Sequence, residues 1–235
     1  MMIEEIKKEL KKLVDPVEAQ KRIEWERKYN EPSVMYGIPA RLVRGISSKY
    51  YQKVKKEDKK RILEYCNMLL EQGIVELRTI AFEWAYRIRK EFAIDDFVLF
   101  ETWLEKYVRG WGGCDDLCTH ALGAFIHRFP QFLPRVKLWA KSENRWMRRA
   151  SAVVLIYSVR KKQSLKDVFE VADSLLTDED VMVQKGYGWM LKEASNKYPH
   201  EVFEYVMKHK RDMSRTALRY AIEKLPSQSR RQAMK

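Results

Sequence analysis

The sequence predicts an all-α protein built as a stack of helical hairpins, and three observations predict it. Glycine and proline number only 9 and 7 in 235 residues, and helix interiors tolerate neither well. Apolar residues recur at helical spacing almost from end to end. Asn-Gly and Asp-Gly hairpin signals and sustained period-two runs are lacking. Apolar residues make up 46% of the chain and charged residues 34%, which marks a globular chain long enough to bury a core.

The elements follow in order. Ile3, Ile6, Leu10 and Leu13 mark a short amphipathic helix, and residues near 17–29 form another. The segment YNEPSVMYGIP, residues 29–39, is the first clear break. A long helix is expected over about residues 57–72, stopping at Gly73, then one over 75–92 and one over 96–109. Three later segments close on a basic residue, an aromatic or aliphatic residue and a proline: Arg128-Phe129-Pro130, Lys197-Tyr198-Pro199 and Lys224-Leu225-Pro226. Proline cannot continue a helix, so each marks a helix end. Inner helices share an opening that pairs a polar with a small residue: Arg78-Thr79-Ile80-Ala81, Arg148-Arg149-Ala150, Gln184-Lys185-Gly186 and Arg215-Thr216-Ala217. The small residue allows two helices to approach closely. The spacing, about 30–40 residues, is near that of HEAT-type arrays.

The expected architecture is therefore a HEAT-like α-α superhelix, a single domain over residues 1–235. N-terminal helices (1–36) pack on the array and a basic tail (227–235) ends it. Stacked hairpins curve into a concave surface. Arg149, Lys185 and Arg215, with Arg148 beside them, would line one edge of a basic groove. Helix N-termini there would add partial positive charge that suits phosphates. A plain helical bundle with scattered surface charge is the alternative.

Lysine and arginine number 46 against 33 acidic residues, a net charge of +13, and the pI is near 9.5. Such an excess points to a polyanionic partner. Part of it lies near the ends, at Lys7-Lys8 and Arg230-Arg231, where a solvated tail explains it equally well. Three cysteines cannot all pair, the N-terminal MMIEEIKKEL is charged throughout, and no apolar run is long enough for a membrane span. A reducing cytoplasmic setting is expected.

The segment VRGWGGCDDLCTHALGAF, residues 108–125, stands apart chemically. Gly110, Gly112 and Gly113 surround Trp111, and Asp115 and Asp116 follow. A glycine-rich turn ahead of a helix can hold an aromatic out of the core and place a carboxylate near the helix start. Ordinary packing for Trp111 and N-capping for the aspartates are the plain alternatives. Cys114, Cys118 and His120 lack the paired spacing of zinc sites, so no metal is expected, and Cys118 is expected to face the core. The four histidines suggest no nucleophile partner, and phosphate-binding glycine loops are absent. In SENRWMRRASAVVLIY, residues 142–157, Arg148 and Arg149 sit at the mouth of an apolar helix, and one of them is expected to be simply solvated. Trp189, beside Gly186 and Gly188, is either a core plug or a stacking platform.

Together these blocks resemble the AlkD-like DNA alkylation repair family of HEAT-repeat glycosylases. The resemblance runs from GIPARLVR, residues 37–44, to SRTALRYAIEKLP, residues 214–226. The family pattern places a tryptophan four residues before an aspartate and then Leu-Gly, here Trp111, Asp115 and Leu122-Gly123. A second block sets Trp146 three residues before Arg149, and a third sets Lys185-Gly186 before Gly188-Trp189. The resemblance implies excision of N3- or N7-alkylated purines from double-stranded DNA by a monomer without a cofactor. It implies that Asp115 is the catalytic carboxylate, that Trp111 and Trp189 flank the deoxyribose, and that Arg149 contacts DNA. The sequence departs from the pattern at Gly112-Gly113-Cys114, and the adjacent Asp116 leaves the carboxylate open by one position. A non-catalytic DNA-binding repeat protein that recognises distorted or branched DNA is the alternative; a protein-binding scaffold is a third reading.

Overall fold

The computed structural model describes residues 2–29, 31, 33–161 and 165–235. The described residues are helical apart from short connections and contain no strand, only one isolated bridge between Val34 and Ile74. The helices gather into two compact units, Met1–Ala121 and Leu122–Lys235. No described helix is long and apolar enough to cross a membrane.

The first unit holds α1 (Met2–Lys11), α2 (Pro16–Glu26), α3 (Ala40–Val54), α4 (Lys59–Leu70), α5 (Val75–Arg87), α6 (Asp96–Tyr107) and α7 (Trp111–Thr119). Helix α1 buries Ile3, Ile6 and Leu10. Leu13 lies beyond its end and is 37% exposed, so the expected stripe stops one turn early. Asp15 caps α2 by accepting from the Val17 and Glu18 amides, with Pro16 at the first helical position, where its missing N–H costs nothing. Helix α3 was not anticipated from the sequence; it buries Val43, Ile46, Tyr50 and Val54. It is tied to α1 by Lys49–Glu9 (2.6 Å) and Lys53–Glu5 (3.1 Å).

Helices α4 and α5 form a hairpin turned at Gly73, whose φ of +66° is left-handed. Helix α5 stops at Arg87 and continues as a 3₁₀ turn over Arg89–Glu91, rather than as one helix to residue 92. Helix α6 stops at Tyr107 because Val108 is extended. Trp84 and Trp103 are fully buried, and each indole N–H is satisfied, on the Ser47 carbonyl (3.2 Å) and on Asn67 Oδ1 (2.6 Å). Truncating either would cost about 3–5 kcal/mol.

The expected break at 29–39 includes Asn30 and Pro32, which lie outside the described residues. Its remainder is fixed at several points. Val34 accepts from the Val75 amide at 3.0 Å. The Glu76 carboxylate, 4% exposed, accepts from the amides of Tyr36 and Ile38 at 3.0–3.2 Å. Gly37, at φ +73°, crosses α2 at Ala19, where an added Cβ would lie 2.3 Å from the Ala19 Cα. Only glycine meets both conditions.

The second unit holds α8 (Ala121–Arg128), α9 (Leu133–Trp139), α10 (Arg145–Val153), α11 (Leu155–Arg160), α12 (Leu165–Ser174), α13 (Val181–Ser195), α14 (Pro199–His209), α15 (Arg215–Ala221) and α16 (Ser227–Met234). The basic C-terminal tail thus carries a helix, with Ala233 buried. The three prolines play a double part. Pro130 and Pro199 follow one helix and open the next at its first position, and Pro226 is the N-cap residue of α16. Helix α13 packs between α10 and α15. Gly186 leaves room for Arg149, whose Cγ would be 3.0 Å from an added Cβ, and Gly188 meets the Tyr220 Cβ at 2.7 Å and the Ala217 carbonyl at 2.9 Å. The small residues of the repeated openings do let helices approach closely.

Candidate functional site

In the first unit, Gly110 is the N-cap residue of α7 and Trp111 its first helical residue. Gly112 and Gly113 lie within the first turn, not in a turn ahead of the helix as the sequence suggested. Trp111 and Asp115 are four apart, so they share one face, one turn apart. Asp115 and Asp116 sit mid-helix, and neither caps α7. Cys114 and Cys118 are fully buried, and no cluster of metal-ligating side chains occurs among the described residues.

The two aspartates differ in their surroundings. Asp116 accepts from Arg44 at 3.2 Å and faces the His120 Nδ1 at 3.4 Å, and that nitrogen also meets the Asp116 carbonyl at 2.9 Å. The hydrogen bond to Asp116 raises the His120 pKa above its ordinary value against the opposing effect of burial. The Tyr86 ring meets the His120 edge at 5.2 Å. Asp116 is thus engaged from α3 and from the end of its own helix. Asp115 sits one position away, on the face shared with Trp111.

Both aspartates line a cavity of about 400 Å³ enclosed by α2, α3, α5, α7 and the 31–39 connection. Arg44, Arg78, Gly112 and His120 line it as well. Gly113 is explained by Arg78, whose guanidinium would lie 2.8 Å from an added Cβ. Beside the cavity, Trp111 meets Trp25 edge to face at 5.8 Å and 84°, and Trp25 meets Tyr29 at 5.6 Å. Trp25 is 47% exposed and shares a groove with Lys21, Arg22, Glu26 and Trp111. Sequence reasoning missed Trp25, Arg44 and the pairing of His120. Only the last had a readable signal, the four-residue spacing from Asp116.

The remaining candidates belong to the second unit. Trp189 is half-buried on α13, its indole N–H on Glu193 at 3.0 Å. Burial alone would raise the Glu193 pKa, but hydrogen bonds from Arg160 and Trp189 outweigh it and hold the carboxyl below its ordinary value. Arg149 is 5% exposed, on the fifth residue of α10, and donates to the Met182 carbonyl at 2.5 Å. Arg148 pairs with Asp178 at 2.6 Å and donates to the Ser142 and Glu143 carbonyls at 3.0 Å. Lys185 is half-buried, and Arg215 is exposed at the first position of α15. The N-termini of α10, α13 and α15 are capped by Asn144, Asp180 and Ser214. Asp180 also pairs with Arg145 at 3.0 Å, which offsets part of the positive end of α13.

An all-helical repeat fold with an indole and a carboxylate one turn apart over a cavity sets the class of the molecule. A family model described as DNA alkylation repair enzyme matches residues 6–225, and the chain belongs to that family. The fold is shared with a structure described as a predicted DNA alkylation repair enzyme from Enterococcus faecalis, at 20% identity and a TM-score of 0.79, covering 91% of this chain and 97% of that one. It is also shared with AlkD2 from Streptococcus mutans, at 20% identity and a TM-score of 0.58, covering 77% and 89%. Comparison with curated proteins gave no significant match.

Proposed function

We propose that the protein is a DNA glycosylase that excises N3- and N7-alkylated purines from double-stranded DNA, acting as a cytoplasmic monomer without a cofactor. The supporting observation is the Trp111–Asp115 pair on one face of α7, beside a neighbouring aspartate already engaged by Arg44 and His120.

An alkylated purine of this kind is already cationic and leaves without protonation. The C1′–N bond breaks, and its electron pair neutralises the purine. Asp115 stabilises the positive charge that develops on the sugar. Water then bonds to C1′, and Asp115 accepts its proton. The faces of Trp111 and Trp189 suit a cationic sugar, and excluding water strengthens each attraction. Arg215 and Lys185 hold the phosphate backbone with Arg148 and Arg149, whose guanidiniums carry several donors each.

Incubation with duplex DNA carrying 7-methylguanine is expected to release the base and leave an abasic site. Salt-sensitive binding with no release would assign the non-catalytic DNA-binding reading instead. Negligible duplex affinity at low salt would assign a protein scaffold.

A further inference from the structure

We infer that the cavity beside Asp115 is a seat for the alkylated purine base itself, which leaves the duplex to enter it. The inference rests on the glycosylase reading and adds where the base goes.

Size is the first support. About 400 Å³ falls within the roughly 300–1,000 Å³ typical of small-molecule sites, and an enzyme that acts on a base in a duplex can extrude it into such a pocket. The walls are the second. Ile23, Met35 and Val75 supply apolar surface for ring faces. Glu26, Glu31, Asp115 and Asp116 face Arg27, Arg44 and Arg78 across the lining, leaving one carboxylate in excess while His120 is neutral. An anion gains nothing there. A flat ring with one delocalised positive charge and amino N–H donors at its edge matches the apolar faces, the acceptors and the charge.

Gly112 is the third support and is independent of the other two. Glycine inside a helix costs about 0.5–1 kcal/mol relative to alanine. Gly37, Gly113, Gly186 and Gly188 are each explained by a neighbour that a Cβ would strike. Gly112 has no neighbour within 4 Å of an added Cβ, is exposed, and lines the cavity. What its missing side chain preserves is the empty volume. Glu26 lines both the cavity and the Trp25–Trp111 groove, so the indole pair stands at the entrance.

The test is calorimetric titration of the full chain with 7,9-dimethyladeninium, a cationic stand-in for an N7-alkylated nucleoside, against neutral 9-methyladenine. The cation is expected to bind about ten-fold or more tighter, a difference near 1.4 kcal/mol. Gly112→Leu, which fills the cavity from a position with room for a side chain, is expected to abolish binding without lowering the melting temperature. Glu26→Gln is expected to erode the preference for the cation while leaving the cavity open. No binding of the cation, equal affinity for the two ligands, or wild-type affinity in Gly112→Leu would overturn the inference. The two readings fail separately. Undiminished base release from methylated DNA by Gly112→Leu would overturn the base seat and leave the glycosylase standing. Cation binding by a protein that releases no base would do the reverse.

Discussion

At the scale of single residues, the site turns on two adjacent aspartates with different neighbours. Asp116 is held by Arg44 and His120, which leaves Asp115 the better placed to act beside Trp111. The His120 pair carries a pH dependence. Its folded pKa is raised, so its stabilising contribution is full below the unfolded value of about 6.5 and is lost as pH rises through the folded one. Asp116, Arg44, Tyr86 and Thr119 face the ring. Urea unfolding of His120→Gln should therefore show a deficit against wild type below that value that shrinks as pH rises; a deficit independent of pH would refute the pairing. The Trp111–Asp115 pair was legible because four residues make one helical turn. Arg44, 72 residues from Asp116 in sequence, was not, since only tertiary packing brings them together. Arg149 was expected at a groove edge. It is buried because its aliphatic stem fits over Gly186 and its head satisfies the Met182 carbonyl.

At the scale of helices, the glycines sort into two classes with opposite predictions. Gly188→Ala drives a Cβ to 2.9 Å from the Ala217 carbonyl. Backbone cannot swing aside, and overpacking of this kind costs about 1–3 kcal/mol. Gly112→Ala meets nothing and should stabilise by about 0.5–1 kcal/mol. Urea midpoints at constant m measure both, and equal shifts would contradict the assignment. Glu76 makes a third case. Its carboxylate satisfies the Tyr36 and Ile38 amides, so Glu76→Ala should cost about 1–3 kcal/mol by orphaning buried donors. Helix ends marked by Gly73 and the prolines were readable in sequence because those residues act locally. Helix α3 was passed over because Pro39, Gly45 and Ser47-Ser48 dilute its stripe of Val43, Ile46, Tyr50 and Val54. The truncation of α5 and α6 was hidden too, because apolar periodicity continues into turns that bury Ile88, Phe92 and Val108.

At the scale of the molecule, the all-helical class followed from composition and periodicity, and membership of the DNA alkylation repair family agrees with it. The net charge of +13 makes duplex binding steeply salt-dependent on this account. Each phosphate contact contributes about −0.9 to the slope of log affinity against log salt. Arg215→Ala should lower the slope by about that amount, and an unchanged slope would remove Arg215 from the DNA contact. The most direct test of the whole account is the single-turnover rate of 7-methylguanine release by wild type, Asp115→Asn and Asp116→Asn on one methylated duplex. The account predicts a loss of about 100- to 1,000-fold or more for Asp115→Asn, the order expected when a key electrostatic group is removed, and a smaller loss for Asp116→Asn. Release by Asp115→Asn at the wild-type rate would contradict it.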